Sequence, residues 1–332
     1  MAGSMRISRE LCVNNNYRKM HCDFCRQKCP LQCISDDLVL DESRCNDCGI
    51  CCSACPVEAV FSQTYTEYSI EKILEDQPAT IHLCCNKQDQ SSTWPCLGFL
   101  DPKLLLVLLA AGRQVVVDTH GCQNCKPGVE DYLQGTIAKV NEFLAVTGRP
   151  LLKQGEACSE NSQSSKSISR RDFFSQLFGA TVNTVREAIV PVESIPERLP
   201  RMDLFCRHAL LDTLSTEGCL QQQIFQSVAI DADSCRACGV CVKICPQKAI
   251  TVREENAVLH LWHDPLRCNG CGVCIANCLR EAMSFVDAPR LGAYEVTAVP
   301  LPLCEGCGQF YQPVGDQKFC FECLLKRKAE IM

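Results

Sequence analysis

Residues 235–246 read CRACGVCVKICP, and residues 268–279 repeat the pattern as CNGCGVCIANCL. Each stretch spaces its cysteines as Cys-x2-Cys-x2-Cys-x3-Cys. Three thiolates on one tight loop can cap three irons of a 4Fe–4S cube, and the fourth, set off by a short helical turn, reaches the neighbouring cube. The spacing therefore predicts one site from Cys235, Cys238, Cys241 and Cys278, and another from Cys268, Cys271, Cys274 and Cys245. Gly239 and Gly272 follow the second cysteine of each run, where a side chain would keep the backbone away from a cluster. Pro246 stops the first turn. Paired zinc sites are the plainer alternative, but they do not show the triple run. Strands are expected at Ser227–Ile230 and Ala249–Val252, with a turn at Glu254–Asn256 and a return over Ala257–Leu261.

These motifs, within residues 225–290, resemble the two-cluster bacterial ferredoxins. The resemblance implies a pseudo-twofold fold that carries electrons between closely spaced cubanes. Leu279 departs from it, standing where that family usually has proline.

Residues 1–77 carry ten cysteines. Cys45, Cys48, Cys51 and Cys55-Pro56, with Gly49, form another full run, while Cys22, Cys25 and Cys29-Pro30 match only its last three positions. The missing first ligand is most simply Cys12, with Val13–His21 looped out, as in ferredoxins whose first ligand is displaced upstream. The crossed rule then groups Cys12, Cys22, Cys25 and Cys55, and separately Cys45, Cys48, Cys51 and Cys29. Registers using Cys33 for Cys12, or Cys52 for Cys51, stay open, as does one cubane plus a structural zinc.

Residues 78–150 read as a small α/β unit: strands at Thr80–Leu83 and Gln114–Asp118, helices at Asp101–Ala111 and Val129–Val146. Cys84, Cys85, Cys96, Cys122 and Cys125 fall at strand ends and helix starts, where the loops of such a unit converge. Cys85-Asn86, Cys96-x-Gly98, Asp101-Pro102, Gly112, Val115–Val117, His120, Gly121, Cys122 and Cys125 resemble the delta subunit of methyl-viologen-reducing hydrogenases. That subunit passes electrons to heterodisulfide reductase through a 2Fe–2S cluster. The resemblance implies such a cluster here, although Gln88 replaces an early cysteine and Cys122-x2-Cys125 is tighter than the family's pair. Either Cys84 or Cys85 can supply the remaining thiol. His120 reads as a loop residue rather than a ligand.

In the tail, residues 300–332, Cys304-x2-Cys307 and Cys320-x2-Cys323 form two knuckles of a closed tetrahedral site, for zinc or a rubredoxin-like iron. Residues 151–224 begin as a Ser/Gln-rich linker. They continue as an amphipathic stretch, Arg170–Ile189, with Phe173, Phe174, Leu177 and Phe178 on one face. Its Arg170-Arg171 pair looks like a twin-arginine signal, but no apolar segment follows. Cys33, Cys52, one of Cys84 and Cys85, and Cys158, Cys206 and Cys219 fall outside these sets.

The chain has 332 residues, 30 of them Cys, and a net charge of −6. A disulfide-stapled secreted protein would be the usual reading of that cysteine density, but Cys-x2-Cys spacing without a secretion signal belongs to metal sites. The charge argues against nucleic acid, and no segment has the apolar length of a membrane span. A cytoplasmic location is expected. Apolar residues are 46% of the chain and aromatics 6%, so each domain would own a thin core. The expected fold is α+β: two ferredoxin-like modules, each for two 4Fe–4S clusters, flanking the α/β unit, with a zinc-ribbon-like tail. Glycine fingerprints, a P-loop and Ser/His/Asp patterns are all missing, so the chain reads as an electron-transfer subunit rather than an enzyme by itself. Its partner would be a hydrogenase, a formate- or aldehyde-oxidising molybdenum or tungsten enzyme, or a disulfide reductase. A cluster-based reductase of the heterodisulfide type and a redox sensor or maturation scaffold are the alternatives.

Overall fold

The computed structural model describes residues 5–62, 73, 79–90, 92, 94–109, 113–155, 224–286, 292–312 and 317–331. The amphipathic stretch expected at Arg170–Ile189 lies outside them, as do Cys158, Cys206 and Cys219.

The order of elements is β1 (Met5–Ile7), α1 (Val13–Asn16), α2 (Phe24–Gln27), α3 (Ile50–Ala54) and β2 (Val60–Ser62). Then follow β3 (Thr80–Leu83), α4 (Pro102–Leu109), β4 (Gln114–Val117), α5 (Val129–Val146) and β5 (Lys153–Gln154). The last part comprises β6 (Ser227–Ile230), α6 (Val240–Ile244), β7 (Ile250–Glu255), β8 (Val258–His263), α7 (Val273–Ala276), β9 (Met283–Val286), β10 (Tyr294–Pro300) and α8 (Phe321–Ile331).

Both cysteine-rich parts are bracketed in the same way. β1, ahead of the first cysteines, pairs antiparallel with β2, behind the last (Met5 opposite Ser62); β6 and β9 do the same (Ser227 opposite Val286). Between the two runs of the second part stands a hairpin of β7 and β8. Its two-residue turn, Asn256-Ala257, has positive φ at both positions, 52° and 59°, which matches the right-handed twist of the strands. The turn sits two residues later than the sequence suggests, because β7 runs on to Glu255 through charged residues that pair but stay exposed. β10 adds to the far side of β8, with a bulge between Glu295 and Thr297, and delivers the chain to the tail. Tyr294 fixes this strand by donating to the Val228 carbonyl and accepting from its amide.

The middle unit is a parallel sheet in the order β3-β4-β5, covered by α4 and α5. Asp101 caps α4, its Oδ1 accepting from the Leu104 amide at 2.9 Å, and Pro102 opens the first turn with its φ already set. Leu104–Leu109 are all buried. α5 starts at Gly128 and carries Glu130 and Asp131 in its first turn, where the helix dipole favours negative charge. One buried apolar cluster runs from Met5 and Val60 through Ile81, Leu105, Val117 and Leu133 to Phe225 and Leu266; a smaller one lies between β6, β7, β8 and β9. The first part and the middle unit thus share a core.

Candidate cluster and metal sites

In the second cysteine-rich part, Cys235, Cys238, Cys241 and Cys278 line one enclosed cavity with Ile230, Leu261 and Met283. Burial pushes the Cys241 thiol up to about 12, reinforced by Cys238, Cys235 and Cys278. Burial likewise raises Cys271 to about 11, with Cys245 and Cys268 adding to it, so those thiols gather with Cys274 as a second group. The donor chemistry fits: sulfur only, in dry surroundings, ready to bind as thiolates to an iron core that replaces the protons. Residues 234–282 match a family described as the 4Fe-4S dicluster domain. Over that stretch the chain is a ferredoxin-type iron–sulfur protein, and electron transfer is the role this domain indicates.

The first part gathers its thiols in a comparable way. Burial raises Cys25 to about 12, with contributions from Cys55, Cys22, Cys51 and Cys12. The loop 13–21 returns to the site through Asn14, whose side chain donates to the Cys22 carbonyl at 2.6 Å and accepts from its amide at 2.7 Å. This clamp brings Cys12 beside Cys22. Cys29, Cys45, Cys48 and Cys51 line a separate cavity, and Cys33 lies there too, not beside Cys12. Cys52 packs beside this cavity, its Sγ 3.4 Å from Met5 Sδ and its thiol in a hydrogen bond with that of Cys51.

One detail recurs at the end of every run. The amide four residues after the last cysteine donates to its sulfur: Cys33 to Cys29 (3.4 Å), Ala59 to Cys55 (3.2 Å), Ala249 to Cys245 (3.3 Å) and Ala282 to Cys278 (3.3 Å). The residue before each donor, Gln32, Glu58, Lys248 or Glu281, has positive φ. Cys33 therefore occupies the place that alanine fills in the other three turns. The signal was present in the sequence as Cys-x3-Ala, three times over.

In the middle unit, β3 and β4 end side by side, and Cys85, Cys96, Cys122 and Cys125 gather past their C-terminal ends. Burial raises Cys122 to about 11, then Cys96, Cys85 and Cys125 add to it. Lys87 Nζ donates to Cys125 Sγ at 3.2 Å. Gln88, the residue that departs from the hydrogenase pattern, ties the loops together: it accepts from the Cys85 amide and donates to Asp118 and His120. His120 contributes its backbone to that clamp.

The tail thiols pack differently. The sulfurs of Cys304, Cys307, Cys320 and Cys323 all lie within 4.8 Å of one another, with Cys307 and Cys320 at 3.8 Å. Four sulfurs about 2.3 Å from a tetrahedral ion stand about 3.8 Å apart, so this set fits a single metal. Among the described residues no other thiol group closes to that spacing. The Cys320 amide donates to Cys304 Sγ, and this bond foremost draws the Cys304 thiol down to about 6. The tail resembles a zinc ribbon and docks on the second part through Gln312, which donates to the Ala237 carbonyl.

Among the described residues no helix is long and apolar enough to cross a membrane.

Proposed function

We propose that the chain is the electron-transfer subunit of an oxidoreductase complex, holding four 4Fe–4S clusters, one 2Fe–2S cluster and one zinc or iron ion. The carrying observation is the turn that closes all four cysteine runs alike, because an amide aimed at sulfur favours the thiolate form that a cluster ligand must take. The crossed ligand sets are Cys235, Cys238, Cys241 and Cys278; Cys245, Cys268, Cys271 and Cys274; Cys12, Cys22, Cys25 and Cys55; and Cys29, Cys45, Cys48 and Cys51. Cys85, Cys96, Cys122 and Cys125 would hold the 2Fe–2S cluster. Wide thiol spacing outside the tail favours clusters over single ions there.

These clusters supply one-electron oxidation and reduction. The chain's residues set them in a row. Cys241 lies near Cys274, Cys22 and Cys271 line one cleft, Cys25 lies near Cys51, and Cys48 near Cys96. Such a row conducts between two partners, and a hydrogenase, a formate- or aldehyde-oxidising enzyme or a disulfide reductase would suit one end. Anaerobically prepared protein should contain about 18 iron and about one zinc per chain. Fewer than about 14 iron after full reconstitution would remove a cubane. Thiol- or disulfide-dependent turnover by the isolated chain would replace this reading with the heterodisulfide-type reductase.

A further inference from the structure

Three parts of the chain that are distant in sequence meet at one side chain. Lys103, in the first turn of α4, sends its Nζ across to the loop that opens the 268–278 run. It donates to the carbonyls of Leu266 (3.3 Å) and Cys268 (2.9 Å) and to Asn269 Oδ1 (2.7 Å). The Phe225 ring lies 5.6 Å below the ammonium. Asn269 in turn donates through Nδ2 to the Pro56 carbonyl at 2.9 Å, next to Cys55. Close by, Tyr17 donates to the carbonyl of Ile244, next to Cys245. Cys22 and Cys271 both line a cleft of about 500 Å³.

We infer that Lys103 is the positioning residue of the junction between the two cysteine-rich parts, setting the reduction potential of the cluster held by Cys245, Cys268, Cys271 and Cys274. The inference rests on the cluster reading above. The ammonium is a fixed positive charge against a ligand loop in a partly buried place, where screening is weak. It favours the state carrying one more electron. It also satisfies three acceptors that would otherwise crowd one another, and so holds the loop in register with the Cys55 turn. An electron crossing from one part to the other would then find this cluster more easily reduced than its thiolates alone would make it.

The test is an anaerobic redox titration, followed by electron paramagnetic resonance, of the full-length parent, K103M and K103R. Iron content is measured on each sample. K103M should weaken electron binding at one cubane component about tenfold, a shift of about 59 mV to more negative potential for a one-electron couple, with the other components unmoved. K103R keeps the charge and should restore most of the shift. If K103M loses iron, the titration is read on K103Q, which keeps a donor without charge and should shift like K103M. Full iron content with every component at its parent potential would overturn the role of Lys103, as would a uniform shift of all components. A parent that itself holds too little iron for four cubanes would instead overturn the cluster reading.

Discussion

Gly98→Ala isolates the contact that locks the first part to the middle unit. A Cβ at Gly98 would stand 2.4 Å from the Cys48 carbonyl oxygen and 3.0 Å from Ile50 Cγ1. The reciprocal position is as tight: Gly49, at φ +86°, would put a Cβ 2.8 Å from the Phe99 amide nitrogen. The two loops thus meet backbone to backbone. Overpacking costs about 1–3 kcal/mol when side chains can yield, and here the obstacle is a main-chain oxygen, so the upper end applies. Displacement would also strain the bond from Ser53 Oγ to the Gly98 carbonyl (3.1 Å), worth about 1 kcal/mol. A loss of about 4 kcal/mol is expected, which at roughly 2–4 °C per kcal/mol lowers the unfolding midpoint by about 8 °C or more. Because Cys48 must move, about four iron per chain should go with it. Gly135→Ala is the control: it lies inside α5, nothing stands within 4 Å of its new Cβ, and helix propensity should give a gain of about 1 kcal/mol. Anaerobic thermal unfolding with iron analysis measures both. A Gly98→Ala protein with parent iron and midpoint would refute the interlock.

Cys12→Ser should remove one cubane's iron while Cys33→Ala leaves all of it, since alanine fills the equivalent place in the other three turns; Mössbauer spectra with the opposite pattern would refute the Cys12 ligand set. His263 is buried on β8, neither ring nitrogen has a hydrogen-bond partner among the described residues, and burial lowers it to about 4. The unfolded chain, with its histidine near 6.5, binds the extra proton first as pH falls through that window, so stability drops with falling pH. Between pH 7.5 and 5.5 the parent should lose about 1.4 kcal/mol more than H263L in denaturant unfolding, and equal losses would refute it.

The Cys-x2-Cys-x2-Cys-x3-Cys runs could be read directly because covalent chemistry fixes their spacing; Ser227–Ile230, Thr80–Leu83 and Val129–Val146 could be read because strand and helix periodicities are local. β10 was missed because Tyr294–Pro300 alternates only weakly and gains its place from Tyr294 reaching back to Val228, a contact no local pattern reports. The pairing of β1 with β2 was missed for the same reason, each strand being three residues long. Cys33 looked like a rival ligand in the sequence. The recurring Cys-x3-Ala spacing already set Cys33 in an alanine's place, and the four turns share the amide bond to sulfur that gives that spacing a physical meaning.

The shared core changes what the cysteines do for stability. Composition suggested a thin core for each domain. Instead the leucines of α4 and the valines of β4 make a dense centre, and Cys25, Cys48, Cys51, Cys85 and Cys96 are buried within the same cluster of apolar residues. As neutral thiols these side chains behave as small hydrophobes. As thiolates they would be costly there without iron, which is why burial drives Cys25 and Cys48 up to about 12. Among the described residues, the helical segments beside the small cluster between β6, β7, β8 and β9 are single turns around the cysteines. Lys103, Asn269 and Tyr17 tie the second cysteine-rich part to the rest at the backbone flanking Cys268, Cys55 and Cys245. The bonds that would align two clusters thus join the two cysteine-rich parts alongside Phe225 and Leu266, which pack into the larger apolar cluster.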